Sequence, residues 1–119
     1  MPKDLRYFLK EMQKKMPEEL AEVDRAVDPK FELSGVLRKL QDEDQYPAVR
    51  FNKVKGSEFP VVSNLFASPK RLGLAFGIDP DNLVQGYLAL EDRLRKSKMV
   101  KKAPVHENIY TGRKIDLTK

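Results

Sequence analysis

Phe51 to Gly77 read FNKVKGSEFPVVSNLFASPKRLGLAFG, and this stretch decides the fold. It opens inside an apolar run from Ala48 to Asn52, and a second run covers Val61 to Asn64. The connection contains Gly56 and Pro60, so the runs are expected to be two strands of an antiparallel pair whose register the residues leave open. A helix should follow. Ser68 can cap free backbone N–H groups, Pro69 suits a first helical turn, and Gly77 suits the stop.

Working downstream, Asp79-Pro80 opens a last helix in which Leu83, Tyr87, Leu90 and Leu94 form a stripe at helical spacing. On this reading the stripe is buried, and Glu91 with Arg95 and Asp92 with Lys96 make i,i+4 charge pairs outside. Val105 to Tyr110 reads as a short strand and Thr111-Gly112 as a turn.

Upstream, Leu5, Phe8, Leu9 and Met12 fall at i, i+3, i+4 and i+7, so Asp4 to Lys15 is expected to be an amphipathic helix that Pro17 helps to end. Met12 and Met16 continue its stripe and are read as core. Leu20 to Val27 alternates as a strand. Ala21, Val23 and Val27 take one face and Glu22, Asp24 and Ala26 the other, with Arg25 the exception on the apolar face, and Asp28-Pro29 closes the strand. Phe31, Leu33, Val36, Leu37 and Leu40 predict a second helix over Glu32 to Leu40, although Gly35 lowers its propensity. Gln41 to Gln45, QDEDQ, reads as a polar loop. The fold class is therefore α+β, a small mixed or antiparallel sheet of three to four strands packed with about four helices.

A chain of 119 residues suits one domain. The hydrophobic fraction of 40% recurs without a long polar gap, which argues against disorder of the whole. The first residues lack a secretory signal and no window approaches a membrane span, so a cytoplasmic setting without membrane contact is expected. The net charge of +5 invites a polyanion partner. However, Arg93 to Lys102, RLRKSKMVKK, holds six of the 23 basic residues, leaving 17 against 18 acidic ones elsewhere. The excess is one local run. It has no aromatic residue for base stacking, and it is read as a solvated helix end followed by a linker, with nucleic acid the weaker alternative.

With no cysteine there is no disulfide, thiolate zinc site or thiol nucleophile. His106 is the single histidine, and in a strand its neighbour Glu107 would face the other way, so the pair cannot easily chelate. No nucleophile elbow, Walker loop, dinucleotide turn or zinc helix is present. Glu18-Glu19 and Asp42-Glu43-Asp44 lie in polar stretches where a general acid would find no pocket to perturb it. No catalytic, cofactor-binding or metal-binding residue is assigned.

Four blocks in fixed order carry a resemblance: LRYFLKEMQKK, ELAEVDRAVDPKFELSGVLRKL, PAVRFNKVKGSEFPVVSNLFASPKRLGLAFGI and APVHENIYTGRKIDLTK. Together they resemble the N-terminal region of the UbiD-type decarboxylases, which use prenylated flavin mononucleotide to decarboxylate aromatic and other unsaturated acids. There are two departures. Met16-Pro17-Glu18-Glu19 stands where the family usually has a Gly-Glu-Leu entry, and Ala67 stands where its N-L-F-G-S pattern has glycine.

What the resemblance implies is a division of labour. Residues 1–102 would be the α+β N-terminal domain, and 103–119 a tail leading toward an absent flavin-binding split β-barrel that holds prenylated FMN, a divalent metal and potassium. The expected partner is that flavin-binding domain or subunit, in an oligomeric enzyme, and this chain alone would bind no cofactor. Asn64, Leu65 and Phe66, at a strand-to-helix junction, are interface candidates, with core packing of Phe66 and turn formation by Asn64 as the alternative. Val105, Ile109 and Ile115 are candidates in the tail. A free-standing interaction module and a basic nucleic-acid binder are the competing readings.

Overall fold

The structure, a computed structural model, describes residues 4–116. Helix α1 spans Leu5–Lys15; Asp4 caps it by accepting the Tyr7 N–H at 2.8 Å, and Lys14 and Lys15 in the last turn complement the dipole. Strand β1 is Leu20–Val27, as the alternation predicts. Helix α2, Glu32–Asp42, carries the chain back to β2, Ala48–Val54, and β3 is Val61–Ser63. Helices α3, Pro69–Phe76, and α4, Leu83–Glu91, complete the unit.

β2 is the central strand of the three, parallel to β1 and antiparallel to β3. A parallel neighbour requires a crossover, and α2 supplies it. Its Leu33, Val36, Leu37 and Leu40 pack on a core of Val27, Val49, Phe51 and Val54. The sheet is mixed, and Val49 pairs with Ser63 and Phe51 with Val61 in the expected antiparallel hairpin.

The Arg25 exception has a geometric cause. Val23 lies opposite Phe51 and Val27 opposite Val54, so four steps of β1 match three of β2. A bulge absorbs the extra residue. Arg25 is exposed and its guanidinium pairs with Glu32 at the start of α2. Glu32 also accepts the Asp28 N–H at 2.6 Å, and first this bond, then Arg25, hold its carboxyl below the ordinary value of 4.5. A lowered folded value means that the stabilisation is present above that ordinary value and is lost as pH falls below it. Glu32→Gln should flatten the acid limb of stability in urea unfolding across that range, and an unchanged limb would contradict the assignment.

Several boundaries differ from the sequence expectations. Gln41 and Asp42 continue α2 instead of opening a loop, helped by the ion pair from Arg38 Nε to Asp42 at 2.9 Å. α4 ends at Glu91, so the i,i+4 partners Arg95 and Lys96 lie beyond it and the predicted stripe breaks. Leu94 is 86% exposed, and Tyr87 and Leu90 of the expected buried stripe are exposed too, so only Leu83 is half-buried. The run from Arg93 to Lys102 is accordingly an exposed irregular segment, not a helix end. Val105 to Tyr110 forms no strand. Pro104–His106 is instead a single 3-10 turn, where Pro104 lacks an N–H for a ladder, and Gly112–Lys114 is another.

Candidate docking site

The junction from β3 to α3 is built around a buried arginine. Asn64 adopts a left-handed φ of 59°, a conformation that asparagine tolerates better than most residues. Its side-chain amide donates to the Pro47 carbonyl at 2.9 Å. Ser68 caps α3 by accepting the Arg71 N–H, and Gly77 ends it at φ 70°. This places Arg71 one turn into α3 and fully buried.

The Arg71 guanidinium gathers three distant segments. Nε donates to the Leu65 carbonyl at 3.0 Å, and Nη2 donates to the carbonyls of Tyr46 at 2.6 Å and Asn64 at 3.3 Å. Nη1 donates to the Glu19 carboxylate and, at 3.4 Å, to the Glu19 carbonyl. A planar fork with several fixed donors suits such a cluster of acceptors better than an ammonium. The turn before β1, the entry to β2 and the exit of β3 are thereby locked to α3.

In front of this junction, α1 and α3 flank an open groove of about 1050 Å³. Leu5, Phe8, Leu65, Phe66, Leu74 and Ile78 supply much of its apolar wall. The Phe66 ring is 56% exposed and stands 5.8 Å from that of Phe8. On the rim, Lys15 and Glu11 form an ion pair at 2.8 Å, whose hydrogen bond lowers the Glu11 carboxyl and raises the Lys15 ammonium. The groove is open and lined mainly by apolar side chains, a shape that can seat an apolar segment.

Of the candidate residues, the structure sets Leu65 and Phe66 on the wall of the groove, while the side chain of the adjacent Asn64 is bonded to the Pro47 carbonyl. It keeps Val105, Ile109 and Ile115 apart from them, exposed by 78%, 68% and 55% in the tail beyond α4. His106 is exposed in the turn that starts at Pro104. Met12 is fully buried, whereas Met16 is half-buried at the end of α1. Ala67, the departure from glycine, is not at a positive φ, so its methyl group introduces no left-handed strain. Arg71 itself gave no periodic signal.

Residues 12–91 match the family model described as the 3-octaprenyl-4-hydroxybenzoate carboxy-lyase N-terminal domain. The chain belongs to the UbiD N-terminal domain family. Among its relatives, a 4-hydroxybenzoate decarboxylase component from Chlamydia pneumoniae is 42% identical over 66 residues, which is 56% of this chain and 11% of the relative. Two solved structures of the Sedimentibacter hydroxybenzoicus vanillic acid decarboxylase share the fold of this UbiD domain. The open form gives a TM-score of 0.62 at 28% identity over 81% of this chain and 20% of that one. The closed form gives 0.60 at 28% identity over 78% and 19%. The chain thus spans about a tenth of the curated relative and about a fifth of the solved structures. Among the described residues, no helix is long and apolar enough to cross a membrane.

Proposed function

We propose that this chain works as the N-terminal scaffolding domain of a UbiD-type decarboxylase in the cytoplasm, docking to a flavin-binding catalytic portion and performing no chemistry itself. The observation that carries the proposal is the extent of the family match. Residues 12–91 take in the last turn of α1 and everything from there through the end of α4, while the matched decarboxylase chains are about five times as long. The likeness is also nearly equal for the open and closed forms, which supports a unit that keeps its shape while a larger enzyme moves.

The complete family enzyme implies prenylated FMN, a divalent metal and potassium. The residues here do not fit those groups. Among the described residues, no cluster of three or more His, Cys, Asp or Glu side chains could hold a metal, and the large groove is walled mainly by apolar side chains. The chain's contribution is therefore positional, with residues 1–102 as the domain, Asn64, Leu65 and Phe66 at the contact, and the tail from Ala103 reaching toward the catalytic portion.

Hydrogen exchange tests this. The tail has only isolated 3-10 turns and exposed Val105, Ile109 and Ile115, so its amides should open easily when the chain is alone. Amides from Ala103 to Asp116 should exchange fast in the isolated chain and slowly once the catalytic portion is supplied. Equal, strong protection in both states would overturn the docking role and favour a self-sufficient module.

A further inference from the structure

We infer that the run from Arg93 to Lys102 is an electrostatic spacer, a segment whose own charge holds the tail away from the domain and whose length is set by ionic strength. The inference is independent of the decarboxylase reading. The run holds Arg93, Arg95, Lys96, Lys98, Lys101 and Lys102 with no acid among them. Each of its residues is exposed, and from Leu94 onward none lies in a helix or strand.

Neither charge nor burial ties the run down. Glu91 and Asp92 stand directly before it and Glu107 follows it, yet among the described residues none of the six cations is in an ion pair. The two leading acids offset the charge at the α4 end only, and Lys96, Lys98, Lys101 and Lys102 then follow without a counter-charge between them. Outside the run the chain has 17 basic and 18 acidic residues, so the domain exerts little net pull on it. Its apolar residues find no shelter either. Leu94 is 86% exposed, Met99 95% and Val100 56%.

A segment without outside contacts takes its dimensions from interactions within itself, and like charges spread along it extend it. In an extended chain neighbouring cations of the run are roughly 3–10 Å apart. The Debye length is about 8 Å at physiological ionic strength, where such neighbours still repel, and about 3 Å at 1 M, where they hardly do. From Asp92 to Ala103 a stretched chain would span about 36 Å and a flexible coil about 18 Å. The chain is correspondingly expanded: its Cα radius of gyration is 17.8 Å, against about 13.5 Å for a compact chain of this length. Stretching lowers the effective concentration of the exposed Val105, Ile109 and Ile115 at the domain's own apolar groove, and so leaves the tail free to reach outward.

The chain has no cysteine, so two can be introduced and labelled specifically. With Ala89→Cys on α4 and Asn108→Cys in the tail, both at exposed positions, energy transfer between the two dyes reads the span of the run. The mean distance should shorten by about a third between about 0.01 M and about 1 M sodium chloride, with circular dichroism unchanged. Lys96→Gln, Lys98→Gln, Lys101→Gln and Lys102→Gln together should give the short distance already at low salt, and added salt should then change it little. A wild-type distance indifferent to salt, a glutamine variant that contracts as much as the wild type, or a contraction accompanied by added helix would each overturn the inference.

Discussion

Arg71→Ala is expected to cost the domain about 3–5 kcal/mol, the range for breaking a buried charge pair by removing one partner. The loss is large because the guanidinium is fully buried and serves acceptors from Glu19, Tyr46, Asn64 and Leu65 at once. Without it, the carbonyls of these segments and a partly buried carboxylate lose a donor that water cannot fully replace. Domains of this size are stable by roughly 5–15 kcal/mol, so the variant should be marginal. Arg71→Lys keeps the charge, but a single nitrogen cannot reach acceptors spread around a planar fork, and a loss of about 2 kcal/mol is expected. Urea midpoints at unchanged slope measure both. A cost below about 1 kcal/mol for Arg71→Ala would mean that the junction is held by packing alone.

The same residue marks where sequence reading stops. Ser68 and Gly77 announced α3 because capping is local chemistry, and the Leu20–Val27 strand was legible from alternation closed by Asp28-Pro29. Burial of Arg71 depends on carbonyls up to 52 residues away, and nothing at positions 68–77 encodes their arrival. Leu94 failed for the converse reason. Spacing alone extended the α4 stripe one turn further, while the helix ends at Glu91 and leaves no neighbour to bury it. Periodicity reports what a helix would present, not whether anything faces it. The groove was half-legible: Phe66 was found from its junction, whereas its partner Phe8 comes from α1 and only the fold joins them.

Two glycines that periodicity treats as blanks hold α3, α4 and their connection together, and alanine at each should fail in a different way. A Cβ on Gly73 would lie 2.6 Å from the Ile78 carbonyl oxygen and 3.2 Å from the Pro80 nitrogen. Those are backbone atoms in a short connection stiffened by Pro80, so relief requires moving the chain that leads into α4. Gly73→Ala is expected to cost about 3 kcal/mol, the upper part of the usual range for overpacking. At Gly86 the obstacle is the side chain of Ile78, with Cγ2 at 2.2 Å and Cγ1 at 3.2 Å. Gly86→Ala should cost about 2 kcal/mol, partly offset by the better helix propensity of alanine. Trimming Ile78 to alanine removes the second obstacle and leaves the first untouched. The double variant Gly86→Ala/Ile78→Ala should therefore be clearly more stable than the sum of its single changes, by about 1 kcal/mol or more. Gly73→Ala/Ile78→Ala should be additive, because the clashing carbonyl remains. Thermal and urea unfolding of the five variants separate the cases. Rescue of Gly73→Ala by Ile78→Ala would show that side-chain crowding, not backbone approach, sets the spacing between α3 and the segment that feeds α4.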